Sequence, residues 1–189
     1  MTCICAMVDG DEVVIGGDSA GVSNWDLETR ADSKVFVNGA YIIGYTSSPR
    51  MGQLLRYRMQ PRLGFPLLAG FDPLEWMATG FIDDVRKTLS EGGWEKKEHE
   101  RAEGGVFLVG FQGRIFAVDS DYQVRESRDL FNAVGSGSSY ALGVMEVTNA
   151  NVIKRPVEEI VRMALCVSEK FCAGVRGPFT VLRGGRKTR

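Results

Sequence analysis

Three dipeptides limit what this chain can fold into. Asp9-Gly10, Asn38-Gly39 and Gln112-Gly113 each lie between two short apolar runs. Residues that accept positive φ at such points close tight hairpins, because primed turns match the twist of paired strands. The runs so joined are Thr2–Val8 with Glu12–Asp18, Lys34–Val37 with Ala40–Thr46, and Gly105–Phe111 with Arg114–Asp119. Each pair is committed to an antiparallel ladder.

Helical signals fall between and after these hairpins. Ser48-Pro49 reads as a cap followed by proline at the first helical position, ahead of Met51, Leu54, Leu55 and Arg58. Pro61 stops that helix. Asp72-Pro73-Leu74-Glu75 has a capping-box shape and opens a helix to about Ser90, with Trp76, Met77, Phe81, Val85 and Leu89 as its apolar set. Leu130–Val134 reads as a strand that runs through Gly135-Ser136-Gly137 into a helix ending near Val147. A last helix starts at Pro156, with Val157, Ile160, Val161, Ala164, Leu165 and Phe171 at helical spacing, and Pro178–Leu182 is a closing strand.

The order is therefore four strands, two helices, three strands, two helices and one strand. Such an order suits an α+β fold of two stacked antiparallel sheets with helices outside. Residues 19–33, with Trp25, read as a polar loop. Residues 61–71 are rich in Pro and Gly yet apolar, which suits a loop packed on the core or a subunit contact. Residues 94–103 are a charged connector, and neither flank has strands enough for its own core. We therefore expect one domain over residues 1–189.

Composition removes several classes of function. Net charge is −1, with no footprint for nucleic acid. The basic stretch 183–189 reads as a solvated end. No apolar run approaches the ~18 residues of a membrane span, and the N-terminus lacks the basic region of a signal peptide. A cytoplasmic protein is expected. Cys3 and Cys5 share one face of a strand and read as buried free thiols, like Cys166 and Cys172. The one histidine, His99, stands in a charged run, which argues against zinc and against a histidine-dependent triad. No cofactor is implied.

Chemistry concentrates in the first 34 residues. Thr2 follows the initiator Met, Asp18 ends an apolar run, and Lys34 opens the next. A threonine hydroxyl needs a nearby base to act as a nucleophile. An N-terminal amine, with a pKa of about 7.7–8.0, sits near the range where general bases work best. Once Met1 is removed, Thr2 carries nucleophile and base on one residue. A charged Lys34 paired with Asp18 would lower the amine pKa further.

These residues resemble the proteasome β-subunit and HslV peptidase family of N-terminal nucleophile hydrolases. The spacings from Thr2 to Asp18 and to Lys34, 16 and 32 positions, match that family's pattern, as does the downstream Gly135-Ser136-Gly137 before Tyr140-Ala141. The resemblance implies a four-layer αββα sandwich. It implies Thr2 as nucleophile, Asp18 and Lys34 as its electrostatic pair, and Ser136 as support for the amine. Ser47 stands where the family has the first glycine of its oxyanion pair. Glu169 and Cys172 stand where it has Asp and Ser. These departures point toward a divergent bacterial or phage relative.

The expected function is that of a threonine-type peptidase or amidase acting on a peptide or amide substrate. By resemblance it would form a homo-oligomeric ring and could be served by an ATPase unfoldase. Two alternatives come from the same residues. One is a catalytically silent, proteasome-like structural subunit. The other is an amidase whose nucleophile is Cys3 after loss of Met1 and Thr2, although the offsets to Asp18 and Lys34 would then each be one short.

Overall fold

The computed structural model describes residues 1–61, 72–98, 101–149 and 155–187. Strands β1 (Ile4–Asp9) and β2 (Glu12–Gly17) form the first hairpin, paired from Ile4↔Gly17 to Asp9↔Glu12. Strands β5 (Val35–Asn38) and β6 (Tyr41–Tyr45) form the second, and β9 (Phe107–Phe111) and β10 (Arg114–Val118) the third. Gly10, Gly39 and Gly113 take positive φ in the turns. With β12 (Phe131–Val134) and β13 (Thr180–Gly184), β1 and β2 make one sheet in the order β12-β1-β2-β13. With β11 (Val124–Glu126), the other pairs make a second sheet in the order β11-β10-β9-β6-β5.

The period of two along each strand explains the layering. Ile4 and Ala6 of β1 face the other sheet and pack with Val13, Ile15, Ile42, Leu108 and Ile115. Cys3, Cys5 and Met7 face the opposite way, onto helices α4 (Ser138–Val147) and α5 (Val157–Phe171). In β6, Tyr41, Ile43 and Tyr45 face a second helical layer, which includes α1 (Pro49–Tyr57) and α3 (Ile82–Glu91). Three apolar cores thus alternate with four layers, helix on sheet on sheet on helix. This is the αββα sandwich expected from the sequence. Gly44 lets the sheets meet, since a Cβ there would lie 2.5 Å from Ile4.

Several elements differ from the sequence reading. Residues 20–29 are not a plain loop but a hairpin, β3 (Ala20–Ser23) with β4 (Asp26–Thr29), turned at Asn24 with φ 52°. Its second strand is fully exposed, so it carries no apolar alternation to read. Two short strands, β7 (Lys96–Glu98) and β8 (Arg101–Glu103), pair within the charged connector, again without an apolar pattern. The helix expected from Asp72 to Ser90 begins as α2 (Pro73–Trp76) and reaches α3 through a π turn at Met77–Phe81. There the Trp76 ring lies over Gly80, where a Cβ would come within 2.5 Å of it. All but the first residue of the apolar loop at 61–71 lie outside the described residues, as does His99.

Candidate active site

Asp18 follows β2 and Lys34 precedes β5, so two strand ends deliver opposite charges to one point. Both residues are almost fully buried, at 1% and 4% exposure, and Thr2 beside them is 5% exposed. Lys34 Nζ lies 3.0 and 3.1 Å from the Asp18 carboxylate oxygens and donates to Thr2 Oγ1 at 2.8 Å. Asp18 also accepts from the backbone N–H of Cys3 at 3.0 Å and of Ala20 at 2.9 Å. The carboxylate thereby fixes the strand directly behind Thr2. Burial pulls the Lys34 ammonium below its ordinary range, and Asp18 works against that pull.

The opposite wall comes from the turn after β12 and the end of α5. Thr2 N–H donates to Ser136 Oγ at 3.1 Å, and Gly137 N–H donates to Thr2 O at 3.2 Å. Gly135 takes φ 96°, and a Cβ there would lie 2.4 Å from Thr2 O, so this turn position requires glycine. Cys172, at the C-terminal end of α5, points its thiol at Ser136 Oγ, 3.4 Å away. Met1 precedes this centre. Its carbonyl accepts from Thr2 Oγ1, so Thr2 N is a peptide nitrogen while Met1 is attached.

Glu169, on α5, stands one step back from Thr2. It does not meet Thr2 but accepts from Gly177 N–H at 3.0 Å and lies 3.7 Å from the Arg176 guanidinium. The neighbouring Arg176 N–H reaches Asp18 at 3.5 Å. Its link to the centre therefore runs through this loop.

Ser47 has φ 63°, in the left-handed region that favours glycine. Its hydroxyl accepts from Val106 N–H at 3.0 Å, which helps to hold the strained backbone. Among the described residues its own N–H meets no acceptor. Ser47 lines a cavity of about 80 Å³ together with Thr2, Lys34, Tyr45, Ala20 and Gly21.

Two contributors escaped the sequence reading. Ser168 is fully buried and bonds to Cys3 Sγ, Gly137 O and Ala164 O, tying α5 to the Gly-Ser-Gly turn. A serine inside the apolar stripe of the last helix was its signal. The other is the Arg176–Gly177 loop, which reaches Asp18 through backbone and so leaves no trace in residue type.

No family model matches the chain. It is 23% identical over 184 residues to an ATP-dependent protease subunit HslV of Caldicellulosiruptor saccharolyticus, covering 96% of this chain and 97% of that one. The chain is thus similar to an HslV subunit over nearly its whole length. Its fold also superposes on Thiobacillus denitrificans BPH in complex with epoxomicin, with a TM-score of 0.77, 19% identity and coverage of 99% and 100%. Eukaryotic HslV from Trypanosoma brucei matches with a TM-score of 0.66, 19% identity and coverage of 96% and 98%. Those likenesses establish the N-terminal nucleophile hydrolase fold.

Proposed function

We propose that the chain is a threonine-type N-terminal nucleophile hydrolase that cleaves peptide or amide bonds after Met1 is removed. The observation that carries this reading is the placement of Lys34 Nζ between Thr2 Oγ1 and the Asp18 carboxylate. In the mature chain the Thr2 amine takes the hydroxyl proton as the oxygen attacks the substrate carbonyl. Lys34 keeps the amine from holding its proton too firmly and stabilises the developing oxyanion of Thr2. Ser136 Oγ orients the amine, and Cys172 orients Ser136. The Ser47 N–H is the candidate donor to the carbonyl oxygen as it becomes negative. The protonated amine then passes its proton to the leaving amine, and water hydrolyses the acyl-enzyme.

The Cys3 alternative gains nothing from the geometry. Cys3 Sγ points into the core beneath α5, 3.5 Å from Ser168, and the residue is fully buried. We extend the proposal to the cytoplasmic, homo-oligomeric ring that the resemblance implies, working with an ATPase, because the similar HslV subunit belongs to an ATP-dependent protease. A monomer by light scattering at micromolar concentration would count against the ring.

Intact mass is the first test, because active protein must begin at Thr2, lighter by one Met. A peptide epoxyketone, which needs hydroxyl and amine together, should add once per subunit. Thr2→Ala should abolish both the adduct and turnover, while Thr2→Ser keeps part of each. Protein that retains Met1 on every molecule and forms no adduct is the silent structural subunit instead.

A further inference from the structure

One turn grips the Thr2 backbone at both of its polar ends. Thr2 N–H donates to Ser136 Oγ at 3.1 Å, and Thr2 O accepts from Gly137 N–H at 3.2 Å. The place of the amine in the mature chain is therefore set by where this turn sits. Gly135 and Gly137 have no side chain to anchor the turn, and Ser136 is exposed. The anchor has to come from behind.

Ser168 stands there. It is fully buried on α5, and its hydroxyl lies 3.0 Å from Gly137 O and 2.9 Å from Ala164 O. A serine hydroxyl has one proton to give. Ala164 O lies one helical turn back and already receives the Ser168 N–H. Gly137 O receives the Ala141 N–H only at 3.3 Å, so the proton does more at Gly137. The Ser168 oxygen in turn accepts from the Cys3 thiol at 3.5 Å, while Cys3 N–H is held by Asp18 at 3.0 Å. The residue directly behind the nucleophile is thus pinned to the buried ion pair by its backbone and to Ser168 by its side chain. The joint has no slack. A Cβ at Gly137 would lie 2.8 Å from Cys3 Cβ and 3.1 Å from Ser168 Cβ.

From these contacts, and resting on the threonine-hydrolase reading above, we propose that Ser168 is a positioning residue for the general base. It touches neither substrate nor reacting atoms. It acts through Gly137 and Ser136, which hold the Thr2 amine where that amine can take the hydroxyl proton. The Cys3 thiol is the second hold on Ser168.

Ser168→Ala tests this on Met1-free protein. The change removes one oxygen and leaves Gly137 O and Ala164 O with backbone donors, so melting should stay close to the parent. Counted per site that takes a peptide epoxyketone, kcat should fall by about three- to tenfold, with KM within about twofold. The decisive readout is the acid limb of kcat/KM, which reports the free amine. An ammonium at Thr2 donates to Ser136 Oγ, and weakening that bond disfavours the charged form. The limb should therefore move to lower pH, by about half a pH unit. Asp18 and Lys34 on the strand side, Cys172 on α5, and Glu169 and Arg176 beyond it are unchanged in this variant and do not supply the shift. Ser168→Cys, a weaker donor in the same place, should fall between parent and Ala, and it decides by the same limb if the Ala variant does not fold. A lower kcat with the limb unmoved makes Ser168 a structural tie and overturns the proposal. Parental kcat and limb overturn it as well, and both results leave the hydrolase reading standing. A parental chain that takes no probe sinks that reading and this proposal together.

Discussion

Thr2 stands between two walls that are built differently. Strand ends make the first: Asp18 and Lys34 are buried, and the Asp18 carboxylate is further held by backbone N–H groups. A turn, a helix end and a loop make the second. There Ser136 and Arg176 are exposed, and Glu169 and Cys172 are half-buried. Charges interact strongly where water is excluded and weakly where it is not. The departures from the resembled family fall outside the buried pair. Ser47, Glu169 and Cys172 are all exposed or half-buried. Glu169 and Cys172 belong to the wet wall, and Ser47 lies exposed beyond the end of β6, while the buried pair keeps the residue types that the resemblance implies.

The sharpest way to break this contrast is Lys34→Ala. If the proposal holds, kcat/KM should fall by about 10²–10⁴-fold, the usual range for a positioned proton-transfer system. The change also leaves the Asp18 carboxylate buried without its ion partner, which costs about 3–5 kcal/mol. Domains of this kind are stable by about 5–15 kcal/mol, so a folded but less stable protein is expected. Thermal melting and circular dichroism check the second effect. Near-parental activity would remove Lys34 from the mechanism.

The pH profile probes the same wall without mutation. Burial depresses the Lys34 pKa, so Lys34 loses its proton below the ordinary 10.5. Activity should therefore have an alkaline limb that falls before pH 10.5. The sign for stability is opposite. Between the depressed value and 10.5 the unfolded chain binds more protons at this residue than the folded one, so its contribution to stability rises with pH. Loss of activity with the fold retained in that window identifies titration at the site. A profile that stays flat through 10.5 assigns Lys34 no charged role.

Ser136→Ala moves the test to the wet wall. It removes the acceptor for Thr2 N–H and the target of the Cys172 thiol. One such hydrogen bond is worth about 0.5–1.5 kcal/mol, so kcat/KM should drop by about tenfold or less. Stability should hardly change, since the side chain is exposed. A loss as deep as that of Lys34→Ala would mean that the two walls do not differ as argued.

The two walls also differ in how much of them could be read from the residues. Asp18 and Lys34 were legible because strand ends are marked by apolar runs on either side, and the hairpin turns fixed those runs in register. Alternation along β1 and β6 made the layers legible too, since each strand feeds one core on each face. The hairpin at residues 20–29 was not legible, because its second strand buries no side chain. Glu169 showed its charge in the sequence but not its partner. The donor it accepts from is a backbone N–H, and backbone donors are the same at every residue except proline.

Glu169→Gln should give the smallest effect. The carboxylate accepts from Gly177 N–H at 3.0 Å, and a Gln carbonyl oxygen in the same place can accept that bond. What is lost is the charge opposite Arg176, at 3.7 Å, with side-chain exposures of 30% and 47%. Pairs this exposed are worth about 0–1 kcal/mol, so the melting temperature should barely move. Because the Arg176 N–H reaches Asp18 only at 3.5 Å, little of that loss reaches the buried pair. Activity should stay within about threefold of the parent, and Glu169→Ala should fall further, since it removes the acceptor as well. Comparing the two variants by kcat/KM separates acceptor from charge. If Gln proves as damaging as Ala, the charge itself matters, and the exposed wall contributes an electrostatic field that the contrast with the strand wall denies it.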